Sequence, residues 1–184
     1  PYRKKYVETY HGKLYISAQC EHHLESSLWI LVYLVYVEWM KDPYLQEVTA
    51  SEPLSLEEEY EMQESWLNDP YKCTFLIKLV FTSEDSETDS ELIGDINLFM
   101  HDRDDRSIAE IEVMIAIPAY WRLGYGNLAL CMIMRYGVEF LNITKFFAKI
   151  SETNTGSIKL FERSAIKPIN DSLTSLLCTC LIAL

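Results

Sequence analysis

The stretch Trp121-Arg122-Leu123-Gly124-Tyr125-Gly126-Asn127-Leu128-Ala129, "WRLGYGNLA", decides the fold. Gly124, Gly126 and Ala129 match G-x-G-x-x-A, the dinucleotide fingerprint of a Rossmann unit. The same residues also read as a glycine-spaced loop opening a helix, where backbone N–H groups hold the pyrophosphate of a different cofactor. So short a glycine motif fits many folds, and the surrounding elements must choose.

Upstream stand three apolar runs. They are "CTFLIKLVFT" (Cys73–Thr82), "ELIGDINLFM" (Glu91–Met100) and "AEIEVMIAIP" (Ala109–Pro118). Polar turns separate them, so they read as an antiparallel meander. "SEDSETDSE" (Ser83–Glu91) has no apolar residue and reads as an exposed, mobile loop. "HDRDDRS" resembles a calcium loop only superficially, lacking the glycine and the closing glutamate of an EF-hand.

Downstream, "NLALCMIMRYGVEFL" reads as a helix, with Ala129, Met132, Ile133 and Tyr136 at helical spacing. "KFFAKI" (Lys145–Ile150) reads as a strand and "TGSIKLFERS" as a short helix. The tail "PINDSLTSLLCTCLIAL" is apolar without a clear period. Glu152, just past the "KFFAKI" strand, favours a Rossmann unit, since an acid there would meet a ribose. Two features oppose it. "PAYWRL" separates Ile117 from Gly124, whereas the first Rossmann glycine sits at the strand end. One βα step after a meander also falls short of a doubly wound sheet.

In the first third, "KLYISA" (Lys13–Ala18) reads as a strand. Ser26 to Lys41 reads as a helix, with a strand as the alternative for its first half, and Pro43 closes it. Ser55 and Glu58 have capping-box spacing, and Glu57, Glu58 and Glu59 suit the positive end of the helix that follows. That acidic run reads as a solvated helix start rather than a metal site. Leu56, Tyr60 and Leu67 form an apolar face at helical spacing.

The length of 184 residues suits one domain with a sizeable core. A net charge of -12 excludes a nucleic-acid binder, which needs Lys and Arg against phosphate, and suits a cationic partner such as a peptide amine. Leu28–Val37, the longest apolar run, is about half the length of a membrane-spanning helix, and the N-terminal segment lacks a signal-peptide pattern. Cys20, Cys73, Cys131, Cys178 and Cys180 show no C-x-x-C pair and read as reduced, buried thiols of a cytoplasmic protein. Residue 1 is Pro, which points to a processed or incomplete product.

The order strand, two helices, three antiparallel strands, glycine loop, helix, strand, helix resembles the GCN5-related N-acetyltransferase (GNAT) fold. The wording agrees from Glu38 to Phe161. "EWMKDPYLQEVTASEPLSLEEEYEMQESW", "CTF", "GDINLFM", "EIEVMIA", "YGNLAL", "YGVEFLNITKFFAKI" and "NTGSIKLF" are similar to the N-acetyltransferase nine family, proposed alpha/beta-tubulin N-acetyltransferases. The resemblance implies an α/β (α+β) class, with a mixed sheet, a meander and a cofactor-binding loop-helix. It implies a domain over residues 10–166 and a divergent tail over 167–184. It also implies transfer of acetyl from acetyl-CoA to a protein N-terminal amine, with tubulin as the proposed acceptor.

The same resemblance places the chemistry. Backbone around Met114, Ile115 and Ala116 would meet the pantetheine arm and supply an oxyanion donor. N–H groups from Arg122, Leu123, Gly124, Tyr125, Gly126 and Asn127 would hold the pyrophosphate. Asn154 would hydrogen-bond the cofactor arm, although an Asn there also suits a helix N-cap. Alternation puts Ile111, Val113, Ile115 and Ile117 on one face of their strand, and Glu110, Glu112, Met114 and Ala116 on the other. Glu112 is the first candidate for general base and Glu110 the second, unless both simply face solvent. His22, His23 and His101 show no triad pattern, and no general acid stands out.

Three departures set this chain apart from the family pattern. Trp121 occupies the usual Arg/Gln position of the loop, with Arg122 one place late. Ser164-Ala165-Ile166 replaces a Gly-Phe pair before the closing hairpin, so that hairpin is expected to be altered or missing. "HHLESSLWILVYLV" replaces a more polar segment. A second function class therefore stays open: a catalytically impaired interaction module acting at microtubules.

Overall fold

The computed structural model describes residues 14–18, 26–82, 88–102, 104–164, 167–168 and 178–179, and its meander carries a split sheet. Strands β1 (Leu14–Ala18), β2 (Lys72–Thr82), β3 (Thr88–Phe99), β4 (Ile108–Ile115) and β5 (Lys145–Phe147) lie side by side in that order. β1 to β4 pair antiparallel, and β5 joins β4 in parallel. This is the mixed-sheet α+β architecture that the family resemblance implies.

Several boundaries differ from the sequence reading. β3 begins at Thr88, because Thr82 pairs with Thr88 and the ladder runs on into the polar stretch. Residues 83–87 of the expected loop lie outside the described residues. β4 stops at Ile115, and Pro118–Tyr120 makes one 3-10 turn instead of extending the strand. β5 keeps three residues instead of six, since its pairing with β4 ends at Glu110–Phe147.

Among the described residues, five α-helices flank the sheet: α1 (Ser26–Trp39), α2 (Pro43–Thr49), α3 (Leu56–Asn68), α4 (Tyr125–Leu141) and α5 (Thr155–Arg163). α1 is helical from its first residue, which disposes of the strand alternative. Pro43 opens a helix instead of closing one. Asp42 accepts a hydrogen bond from the Tyr44 N–H at 2.9 Å, and a proline in the first turn costs no backbone bond. α3 starts with the expected capping box between Ser55 and Glu58.

The expected apolar face of α3 points outward. Leu56 and Tyr60 are 58% and 60% exposed, while Glu59 and Gln63 are buried. The side chain of Leu67 lies outside the described residues. The inversion follows from the sheet beneath. α3 lies over β2 and β3, whose upper face carries the buried polar residues Lys72, Thr74, Asp95 and Asn97.

The opposite sheet face is conventional. Ile111 of β4, Phe146 of β5, Ala129, Leu130, Ile133 and Tyr136 of α4, and Phe161 of α5 share one apolar core. Each such large side chain contributes about 1.5–3 kcal/mol by leaving water. A second, smaller cluster joins Met40, just past α1, and Leu45 of α2 to Met114 and Ala116.

Cys73 is buried as expected, but Cys131 is exposed. Cys20, Cys180, the side chain of Cys178, and the domain limits at residues 10 and 166 lie outside the described residues. In the tail, β6 (Lys167–Pro168) and β7 (Cys178–Thr179) pair antiparallel over two residues, where an altered or missing hairpin is expected. Among the described residues, no helix is long and apolar enough to cross a membrane.

Candidate active site

The site begins where β4 and β5 part. Pairing runs Ile108–Lys145, Ala109–Phe146 and Glu110–Phe147, then stops, although β4 continues to Ile115. A residue's N–H and C=O leave the same side of a strand. The Ala116 N–H donates to the Ile93 oxygen, so Ala116 turns its backbone toward β3. The Met114 oxygen does the same, lying so close to Gly94 that an added Cβ would come within 1.9 Å. Ile115 therefore faces the opening. Its carbonyl accepts a bond from Trp121 Nε1 at 2.6 Å. Of the three residues expected to meet a pantetheine arm, Ile115 alone presents backbone to the gap.

Side-chain alternation along β4 holds. Ile111, Val113, Ile115 and Ile117 pack with the α4 and α5 core, whereas Met114 and Ala116 pack under α1 and α2. The two acids differ. Glu110 is buried, so it does not face solvent. Its carboxylate pairs with Lys149 Nζ at 2.7 Å and with His101 Nε2 at 2.5 Å. His101, which has no partner in the sequence pattern, thus meets an acid nine residues away. Its ring stacks on Phe99 with centroids 6.0 Å apart, which holds it over the strand.

Glu112 is exposed but stands among dense, charged neighbours. Its pKa is raised, first by desolvation and then by the Glu110 carboxylate. Lys72, Lys149 and His101 oppose that shift. A carboxylate so tuned is a stronger base than an ordinary glutamate, and it remains open to a reactant.

Beside Glu112, a buried polar row crosses the sheet. Thr74 Oγ1 donates to Asn97 Oδ1 at 2.6 Å, and Asn97 Nδ2 donates to Asp95 Oδ2 at 2.6 Å. Burial pushes the Asp95 carboxyl up to about 6 and the Lys72 ammonium down to about 8. Folded Asp95 binds its proton more tightly than the unfolded chain does. Its contribution to stability is therefore present below about pH 4 and lost as pH rises through about 6. Asp95→Asn is expected to remove that loss. The melting-temperature difference, variant minus wild type, should grow between pH 4 and pH 7, and a constant difference would contradict it.

The glycine loop is shaped by two residues with positive φ, Arg122 at 60° and Gly124 at 94°. Gly124 is the N-cap of α4, and no side chain caps that helix. By contrast, Asp42, Ser55 and Asn154 cap α2, α3 and α5. The first-turn N–H groups of α4, from Tyr125 to Asn127, thus gather at an end with no capping side chain, a geometry that suits an anion. Gly126 has a different role. It sits inside the helix, and a Cβ there would approach Leu160 of α5 at 3.2 Å. Arg122 and Leu123 are exposed, as is Asn127, whose Oδ1 accepts a bond from Ser164 Oγ. Asn154 Oδ1 accepts from the Ser157 N–H at 3.0 Å, so its N-cap role is realised.

The unforeseen helix α2 also reaches this loop. Tyr44 packs on Trp121 with ring centroids 5.4 Å apart. The adjacent Asp42-Pro43 pair, an N-cap followed by a first-turn proline, is the signal that would have revealed it. Among the described residues, no group of three His, Cys, Asp or Glu side chains could hold a metal ion.

A sheet split beside an uncapped helix start is the arrangement that the resemblance implies for an acetyltransferase scaffold. Residues 33–167 match the Acetyltransferase (GNAT) domain model, and the chain belongs to the GNAT acetyltransferase family. It is 44% identical over 139 residues to the N-acetyltransferase 9-like protein of Nematostella vectensis, covering 74% of this chain and 70% of that protein. It is 46% identical over 138 residues to Alpha/beta-tubulin-N-acetyltransferase 9 of Mus musculus, covering 73% of this chain but 57% of that protein. The chain thus spans little more than half of the mouse relative.

Among solved structures, aminoglycoside acetyltransferase AAC(6')-Ib in complex with coenzyme A superposes with a TM-score of 0.70 at 13% identity. The match covers 92% of this chain and 95% of that one. PseH of Campylobacter jejuni in complex with acetyl coenzyme A gives 0.62 at 16% identity, covering 92% and 99%. At such identities the likeness establishes the fold.

Proposed function

We propose that the chain is an acetyl-CoA-dependent N-acetyltransferase acting on a protein N-terminal amine, with tubulin as the acceptor. The observation that carries this reading is the parting of β4 and β5 after Glu110, with Ile115 facing the gap and the uncapped start of α4 beyond it. The relatives named for tubulin N-acetylation support the acceptor, and a net charge of -12 suits a cationic amine.

The residues fit the cofactor in two places. The N–H groups of Tyr125, Gly126 and Asn127 hold its pyrophosphate, helped by the turn at Gly124. The gap edge at Ile115 receives the pantetheine arm. When bound, acetyl-CoA supplies the acetyl group as an activated thioester. Glu112 takes the proton that the acceptor nitrogen gives up as its bond to the acetyl carbon forms. The Ile115 N–H is placed to donate to the oxygen that gains charge in the transition state. Glu110, fixed by Lys149 and His101, acts through Glu112 by raising its pKa. The proton for the departing thiolate has no assigned donor.

One observation favours the non-catalytic module as a second reading. The Trp121 indole already occupies the Ile115 carbonyl on the gap edge. A thermal-shift titration separates the two. Saturating acetyl-CoA should raise the melting temperature by several degrees, because a ligand at 100 times its Kd adds about 2.7 kcal/mol. Gly124→Val should weaken that shift, since a branched residue strains at φ 94° and turns the loop amides. No shift in the wild type would leave the non-catalytic module standing.

A further inference from the structure

The sheet face under α1 and α3 holds a buried carboxylate oxygen that the proposed transfer does not use. Asp95 is 5% exposed. Its Oδ2 is held by Asn97, which is held in turn by Thr74. Its Oδ1 has no hydrogen-bond partner among the described residues. Asp95 borders a cavity of about 10 Å³, lined also by Val32, Tyr36, Gln63, Trp66 and Thr74. That space suits one water-sized group.

A carboxylate buried with one oxygen unsatisfied is costly, so the cavity complements a hydrogen-bond donor and is best matched by a cation. Its walls agree. Tyr36 and Trp66 meet edge to face with ring centroids 6.0 Å apart, and aromatic faces attract ammonium groups. The ammonium of Lys72 lies 3.2 Å from the centre of the Trp66 ring, so that ring already carries one cation contact. The location agrees as well. Asp95 is the cross-strand partner of Met114, and Asn97 is the partner of Glu112. Asp95 and Glu112 are thus diagonal neighbours on one face, about 7 Å apart by sheet geometry.

Resting on the acetyltransferase reading, we propose that Asp95 Oδ1 anchors the protonated primary amine of the acceptor. Asn97 and Thr74 hold the carboxyl in place, and Tyr36 and Trp66 form the walls. Only the amine head group fits, and the chain behind it extends out of the cavity. Asp95 binds the resting ammonium; the nitrogen leaves that oxygen when its first proton goes to solvent, and Glu112 takes the second as the bond to the acetyl carbon forms.

The test is calorimetry of the full chain with coenzyme A present. The probes are a tubulin N-terminal peptide with a free amine and its N-acetylated twin. Wild type should prefer the free amine at least tenfold, on the order of 1.4 kcal/mol. Asp95→Asn keeps the shape of the side chain and should abolish that preference. In steady state it should raise the peptide KM about tenfold and leave the acetyl-CoA KM unchanged. Equal binding of the two peptides by wild type would mean the cavity holds water only, and would overturn the proposal without using the variant. Turnover with equal peptide KM in both proteins would overturn the Asp95 site and leave acetyl transfer standing. An amine preference lost in the variant, with no turnover in wild type, would support the site and reject the transferase reading.

Discussion

Glu112→Gln is expected to lower kcat by about 10²- to 10⁴-fold, the usual worth of a positioned base. The acetyl-CoA-induced rise in melting temperature should remain, because the proposed cofactor contacts are to backbone of α4 and β4 and not to Glu112. The reason lies in the contrast between neighbours. Glu112 is exposed and its pKa is raised, whereas Glu110 is buried and doubly paired. The acidic limb of kcat/KM should accordingly lie above the ordinary glutamate pKa of about 4.3. Glu110→Gln removes the neighbouring charge that helps raise that pKa, so it should move the limb to lower pH. Full activity in Glu112→Gln, with activity abolished in Glu110→Gln, would reverse the two roles.

Gly94→Ala is expected to be the most damaging single methyl group in the sheet. Its Cβ would fall 1.9 Å from the Met114 carbonyl oxygen, 2.9 Å from the carbonyl carbon and 3.1 Å from the Ile115 Cα. All three are backbone atoms of β4, so no rotamer relieves the clash. The strands must separate where β4 borders the proposed site. Overpacking of this kind costs on the order of 3 kcal/mol or more. Urea unfolding should show a markedly lower midpoint, with acetyl-CoA binding lost alongside. An unchanged midpoint would contradict the close packing of β3 on β4.

Much of this arrangement was legible in local sequence. The meander follows from three apolar runs between polar turns, and the α3 start from Ser55 and Glu58. Gly124 reads as a turn and has the positive φ that a turn needs. What escaped depends on contacts distant in sequence. Pro43 serves equally as a stop or as a first-turn residue, and Asp42 decides only when its side chain is seen to cap Tyr44. Leu56 and Tyr60 have the spacing of an inward stripe, yet Glu59 and Gln63 turn inward because the sheet below is polar. The shortening of β5 reflects the parting of two strands, which composition does not encode. His101 and Lys149 reach Glu110 from nine and thirty-nine residues away, beyond any local motif. The inward turn of Glu59 and Gln63 and the burial of Asp95 fall on one side of the sheet, where polar groups replace apolar packing.

The central claim is acetyl transfer to an amine, and mass spectrometry tests it most directly. The full chain is incubated with acetyl-CoA and a tubulin N-terminal peptide, and the peptide is weighed and fragmented. The account predicts a gain of one acetyl group on the N-terminal nitrogen, far slower with Glu112→Gln. An unmodified peptide, from a chain that acetyl-CoA demonstrably stabilises, would contradict it.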